Sequence, residues 1–184
     1  PYLTGVFLKK TNPYLGETQD VEAKLYLSQA APHLLRLSDG NVINLKKDGL
    51  AAWRFTSTAE PTGYLGYDGH QFAVYTYPSS INALQDGPLT LGPGSTNATL
   101  LRRQVVRGGF ATRSFPAKID FPSVELNVRP LPEGAPSGFS GAVGTFSMEV
   151  RPLSLELELG GSLTVETRIK GSGNIDQFPG PQLM

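Results

Sequence analysis

Between Val21 and Leu27 every second residue is apolar: Val21, Ala23, Leu25 and Leu27, with Glu22, Lys24 and Tyr26 between them. The same period recurs in Val124, Leu126 and Val128, and in Leu155, Leu157 and Leu159 around Glu156 and Glu158. It recurs again in Leu163, Val165, Thr167 and Ile169 around Thr164, Glu166, Arg168 and Lys170. A period of two puts the apolar residues on one side of an extended chain, so each segment is expected to be a strand with one buried and one wet face. Residues 71–77 also read as a strand, mixed on both faces, and Asp86-Gly87-Pro88 reads as a turn into a short strand at 89–91. No stretch carries a clean apolar stripe of helical period. The nearest, 44–54, is interrupted by Gly49, and 79–84 is expected to form only a short helical turn. With 21 glycines and 15 prolines in 184 residues, the chain is suited to frequent turns between short strands. The expected fold class is all-β, built of immunoglobulin-like β-sandwich modules.

The chain also repeats. Leu15-Gly16-Glu17 followed by Val21, Ala23 and Leu25 is matched 144 positions later by Leu159-Gly160-Gly161 followed by Val165, Thr167 and Ile169. Between the copies, residues 128–146 form a Pro/Gly/Ser-rich run, far longer than the about 4–6 residues of an ordinary connection. The expected organisation is a first sandwich module at 1–131, a junction at 132–144, and the N-terminal part of a second, truncated module at 145–184. Beginning at Pro1 and ending in Pro-Gly-Pro-Gln-Leu-Met, the chain reads as an internal piece of a longer protein. Pro130, Pro132 and Pro136 stiffen the junction. Phe139, Val143 and Phe146 are apolar residues in an otherwise wet linker, and are expected to pack between the modules and fix their angle. Gly138, Gly141 and Gly144 permit the tight turns beside that contact.

Little in the sequence points to catalysis. Without cysteine there are no disulfides, thiolate metal sites or cysteine nucleophiles. Lys+Arg and Asp+Glu balance at 16 each, so no global field selects nucleic acid or an acidic membrane. The histidines, His33 and His70, have no His/Asp/Glu cluster around them in sequence, and neither a metal nor a cofactor is expected. Ser140 in Gly138-Phe139-Ser140-Gly141-Ala142 resembles a nucleophile elbow. That motif needs a strand–turn–helix context and a His/Asp pair, so a tight turn is the better reading. Glycine-rich residues 92–96 and 171–174 lack the Lys-Ser/Thr ending of a phosphate loop, and both read as turns in which Gly or Asn takes positive φ. Glu17, Asp20 and Glu22, or Glu156 and Glu158, read as solvated carboxylates rather than an acid–base pair. Asn97-Ala98-Thr99 fits a glycosylation sequon, as short motifs do by chance. Arg102, Arg103, Arg107, Arg113 and Lys118 surround Phe110 and Phe115 with no acid from 102 to 117. They are a candidate patch for an anionic surface or phosphate, or charges that blunt a sheet edge. Tyr64, Tyr67, Tyr75 and Tyr77 would serve a carbohydrate-binding or adhesive module if they formed a flat exposed row.

Pro130-Leu131-Pro132-Glu133-Gly134, followed by Gly138-Phe139-Ser140-Gly141-Ala142-Val143-Gly144 and Phe146, resembles the junction motif of the bacterial BatD (oxygen-tolerance) family. Gly171-Ser172-Gly173-Asn174 is similar to that family's G-x-G-N turn. Tyr14-Leu15-Gly16-Glu17 is similar to its Y-x-G-E opening, and residues 86–93 to its late-strand element. The resemblance implies tandem immunoglobulin-like modules on the periplasmic face of the bacterial inner membrane, in a parent with a signal peptide and a membrane anchor. It implies von Willebrand A-domain membrane proteins and a MoxR-type ATPase as partners, a role in envelope stress or oxygen tolerance, and no catalytic residues.

Overall fold

A computed structural model describes residues 2–30, 33–38, 40–154, 156 and 159–178, the side chains of His33 and Leu34 excepted. The regular secondary structure of the described residues is almost entirely β-strand. In chain order the strands are β1 (Tyr2–Leu8), β2 (Thr18–Ser28), β3 (His33–Arg36), β4 (Asn41–Lys47), β5 (Leu50–Ala52), β6 (Phe55–Ser57) and β7 (Gly63–Tyr67). They continue with β8 (His70–Ala83), β9 (Gly87–Val106), β10 (Gly109–Phe121), β11 (Val124–Val128), β12 (Gly144–Pro152) and β13 (Val165–Gly173). One 3₁₀ turn, Ile175–Gln177, comes after β13.

Strands β1 to β11 form two antiparallel sheets. In the first, β1 pairs with β2 and β2 with β8, while β7 and β5 share the far side of β8. In the second, the long β9 is central. β10 and β11 lie along one side of it, β4 and β3 along the other, and β6 pairs with β4. With β3 set aside, and β5 sharing its edge with β7, this is the A-B-E-D and G-F-C-C′ order of an immunoglobulin sandwich.

The alternation of β2 explains why it lies where it does. Val21, Ala23, Leu25 and Leu27 are buried, and Asp20 and Glu22 are exposed. They meet Tyr77 and Ile81 from β8, and Phe55, Leu91, Ile119 and Phe121 from the opposite sheet, in one core. Each such side chain, fully buried, contributes about 1.5–3 kcal/mol.

The expected helical turn at 79–84 does not form. Residues 79–83 continue β8, with Ile81 and Ala83 buried and paired in register to Gln19 and Leu50. Partners on both sides of the strand supply hydrogen bonds that an isolated turn would lack. Likewise 44–54 holds the end of β4, a tight turn with Gly49 at φ 73°, and β5. The strand expected at 155–159 falls largely outside the described residues.

The sequence repeat has a counterpart in strand register. In the β1–β2 pair, Tyr2 faces Leu27 and Leu8 faces Val21. In the β12–β13 pair, Phe146 faces Gly171 and Pro152 faces Val165. Adding 144 to each member of the first set gives the second set without a shift. A one-residue slip would have exchanged the faces of a strand, so the agreement concerns which side chains share a face.

Candidate interaction surfaces

The junction starts from a braced exit. At the end of β11 the chain pairs in parallel with the loop between β1 and β2. Leu15 N–H donates to the Arg129 carbonyl at 2.8 Å, Arg129 N–H to Pro13 at 2.8 Å, and Asn127 N–H to Thr11 at 2.7 Å. The Arg129 guanidinium lies over the Tyr14 ring, 3.9 Å from its centroid, and donates to the Asn12 carbonyl.

The other end of the junction is held by Asn174. Its Oδ1 accepts from Val143 N–H at 2.5 Å, its Nδ2 donates to the Gly141 carbonyl at 2.9 Å, and its own N–H donates to the Val143 carbonyl at 3.2 Å. An asparagine side chain carries an acceptor and donors like a peptide group, so here it extends the β12–β13 ladder onto the loop. This clamp also meets the first sandwich. A Cβ built on Gly16 would lie 3.6 Å from Asn174 Nδ2 and 3.9 Å from Val143 Cγ2. Asn174→Ala removes two of the three bonds, and the expected cost to the β12–β13 unit is about 1–3 kcal/mol. Hydrogen exchange checks this: the amide of Val143, which loses its acceptor, should lose protection while those of β2 keep theirs.

Two clefts flank that contact. The larger, about 520 Å³, lies between Lys10, Tyr14 and Glu17 on one wall and Pro132, Pro136 and Phe139 on the other. The smaller, about 430 Å³, is bordered by Trp53, Ile81 and Asn82 on the sandwich and by Gly173, Asn174 and Asp176. Of the three apolar junction residues, Phe139 is 42% exposed at the larger cleft and Val143 is half-buried facing Gly16. Phe146 packs edge-on against Phe178, ring centroids 4.8 Å apart, over the side-chain-free surface of Gly144, Gly171 and Gly173.

Glu17, expected to be solvated, is instead buried, only 8% exposed, because the loop between β1 and β2 folds its carboxylate against Lys10 and the Tyr14 N–H. Burial pushes its carboxyl up, but the Lys10 hydrogen bond, the Tyr14 N–H and the charges of Lys10 and Arg129 outweigh it. The net effect holds it below its ordinary value of 4.5. A lowered folded-state value stabilises the fold above the unfolded-state titration, and that contribution is lost as pH falls through the folded one. The advantage of wild type over Glu17→Gln in urea unfolding should therefore be complete at neutral pH and shrink as the pH drops below 4.5. An advantage that does not change with pH would show that the ionised carboxylate does not brace the loop.

The basic residues gather on one element. β9 and β10 run on as a hairpin arm, with Arg102 directly opposite Arg113, Val105 opposite Phe110, and Val106 opposite Gly109. β3 accompanies β9 only as far as Arg102, and beyond that pair neither arm strand has another neighbour among the described residues. Arg103 stacks on Phe110 at 4.2 Å, and Arg102 lies 5.9 Å from the Phe115 centroid. Among the described residues, no ion pair involves Arg102, Arg103, Arg107 or Arg113, whereas Lys118 approaches Asp120 at 3.6 Å.

The remaining candidates are dispersed. His70 is exposed beside the β7–β8 turn, where Asp68 and Gly69 have φ 48° and 70°. His33 stands in register with Arg102 on β9. Ser140 is exposed, and no hydrogen bond among the described residues joins it to a histidine. Among the described residues, no three His, Cys, Asp or Glu side chains stand together as metal ligands. Glu22 pairs with Lys24 at 2.9 Å and Glu156 is exposed; Glu158 lies outside the described residues. Tyr77 is fully buried and Tyr75 half-buried, while Tyr64 and Tyr67 are 68% and 67% exposed at odd spacing along β7. The four rings therefore form no row. Asn97 is exposed in mid-strand, its carbonyl accepting from Asn41.

Sequence reasoning missed the Asn41–Tyr77–Thr96 cluster inside the sandwich. The Tyr77 hydroxyl donates to Asn41 Oδ1 at 2.8 Å, and Thr96 Oγ1 lies 2.6 Å from the same oxygen and 2.7 Å from the Val42 carbonyl. The available signal was a tyrosine at an inward-facing position of a strand, which needs a polar partner.

No protein-family model, no curated protein and no solved structure matches this chain.

Proposed function

We propose that this chain is a non-catalytic interaction scaffold of tandem immunoglobulin-like modules, of which residues 145–184 begin the second. The observation that carries the reading is the agreement in register between β1–β2 and β12–β13 at a constant offset of 144. Two copies of one opening hairpin, joined by a braced and clamped junction, suit a protein that holds binding surfaces at a set spacing. The second hairpin supports the same reading through its open apolar face, with Met148 67% and Val150 54% exposed. Contiguous exposed apolar surface of this kind marks interaction sites.

The quoted junction and turn motifs extend the proposal to a BatD-like, membrane-anchored periplasmic parent, acting with von Willebrand A-domain proteins and a MoxR-type ATPase in envelope stress or oxygen tolerance. Affinity capture of the parent protein from its native membrane tests it. Reproducible recovery of a von Willebrand A-domain protein or the ATPase is the expected result, and reproducible absence of both would count against it.

A further inference from the structure

We infer that the β9–β10 arm is a docking element for an anionic lipid bilayer, inserting its apolar tip among the headgroups while its arginines bind their phosphates. The inference is independent of the scaffold reading and rests on the arm alone. Among the described residues no third strand accompanies β9 and β10 from Arg103/Thr112 to Val106/Gly109, a two-stranded ribbon about 10 Å long. Beside the Arg107-Gly108 turn the end of the ribbon is apolar and wet: Val105 is 80% exposed, Phe110 65% and Val106 39%. An apolar tip needs a medium that covers it.

The charges say which medium. Arg102 and Arg113 face each other across the strands, and like charges directly opposite destabilise a β-pair unless an anion lies between or over them. Among the described residues no carboxylate pairs with either. Strand alternation puts Arg103 on the other face of the ribbon from Arg102 and Arg113, and Arg107 in the turn. Cations therefore point to both faces and the end of the arm. A folded acidic partner would cover one face. A headgroup layer surrounds the whole ribbon, supplies phosphates in every direction, and lies directly outside the hydrocarbon that takes Phe110 and the valines. Arginine suits this place, because its planar fork binds phosphate bidentately and its stem covers apolar surface. The neutral net charge of the chain hides this field, since the opposing acids lie elsewhere in the sequence.

Vesicle flotation tests the inference on the whole chain. Vesicles of phosphatidylcholine alone are compared with vesicles about one third phosphatidylglycerol, at ~0.1 M and ~0.5 M salt. The chain should float with the anionic vesicles, not the neutral ones, and less at high salt. Each basic residue near an anionic surface is worth about a fivefold change in partitioning, so Arg102→Gln/Arg113→Gln should bind about 25-fold more weakly. Phe110→Ser should weaken binding several-fold with no change in charge. Arg102→Lys/Arg113→Lys should still float, and so should Lys46→Gln/Arg151→Gln, which removes two positive charges outside the arm. Circular dichroism melts confirm that each variant is folded. Equal binding to both vesicle types, no binding to either, or equal losses from the arm and control pairs would overturn the inference. Arm-dependent binding to polyglutamate without vesicle binding would also overturn it, and would assign the arm to an acidic protein.

Discussion

Replacing Asn41 with leucine is expected to lower the unfolding free energy of the sandwich by about 3 kcal/mol, although leucine has a similar size and is apolar. Asn41 is only 6% exposed and Tyr77 and Thr96 less still. Its Oδ1 accepts from Tyr77, which comes from the opposite sheet, and its Nδ2 donates to the Asn97 carbonyl at 2.8 Å. Leucine would leave the Tyr77 hydroxyl without its acceptor and the Asn97 carbonyl without this donor. Tyr77→Phe removes only one hydroxyl and should cost about 1 kcal/mol. The pair should be non-additive: on the Asn41→Leu background, Tyr77→Phe removes an orphaned group and should cost nothing or restore stability. Urea unfolding of the four proteins measures this. Additive losses would mean that the two side chains do not act as a unit. Burial already pushes the Tyr77 phenol well above the usual tyrosine range, so it remains a donor throughout the neutral pH range.

Gly94→Ala is expected to destabilise by a comparable amount, about 3 kcal/mol, and to lower Tm by roughly 10 °C. Gly94 sits where β9 crosses β4, in register with Leu45. A Cβ there would collide with the Asn44 carbonyl oxygen and lie 2.8 Å from Leu45 Cα. Those obstacles are backbone and cannot rotate aside, so the two strands must separate in the middle of the second sheet. A calorimetric melt unchanged by the substitution would show that the strands can yield at no cost.

These two sites mark the limit of what the sequence displayed. The strands of 21–27 and 124–128 were legible because one face is buried along their length, which imposes strict alternation. Residues 92–96 read as a turn because Gly92, Pro93 and Gly94 are turn residues, and Gly92 does adopt φ 94°. They lie nonetheless inside the 20-residue β9, because the close approach of β4 at Gly94 selects glycine within a strand. Tyr77 stood in the sequence as one of four rings for a sugar. Its parity along β8, in line with Ile81 and Ala83, turns it inward instead. The basic cluster was visible as a charge run, but its opposed arginines and apolar tip depend on a hairpin register that no composition reveals. The three bonds from Asn174 to the loop were likewise invisible, because they join residues about thirty positions apart.

The parallel brace between residues 11–15 and 127–129 has a mechanical consequence. Along β11 the chain leaves the sandwich beside a segment that runs in the same direction and belongs to its opening hairpin. Tension between Tyr2 and the junction would pull these neighbours past one another, so that the bonds at Leu15, Arg129 and Asn127 share the load in shear instead of opening one by one. A sandwich tied in this way meets a stretching force with several bonds at once rather than one at a time.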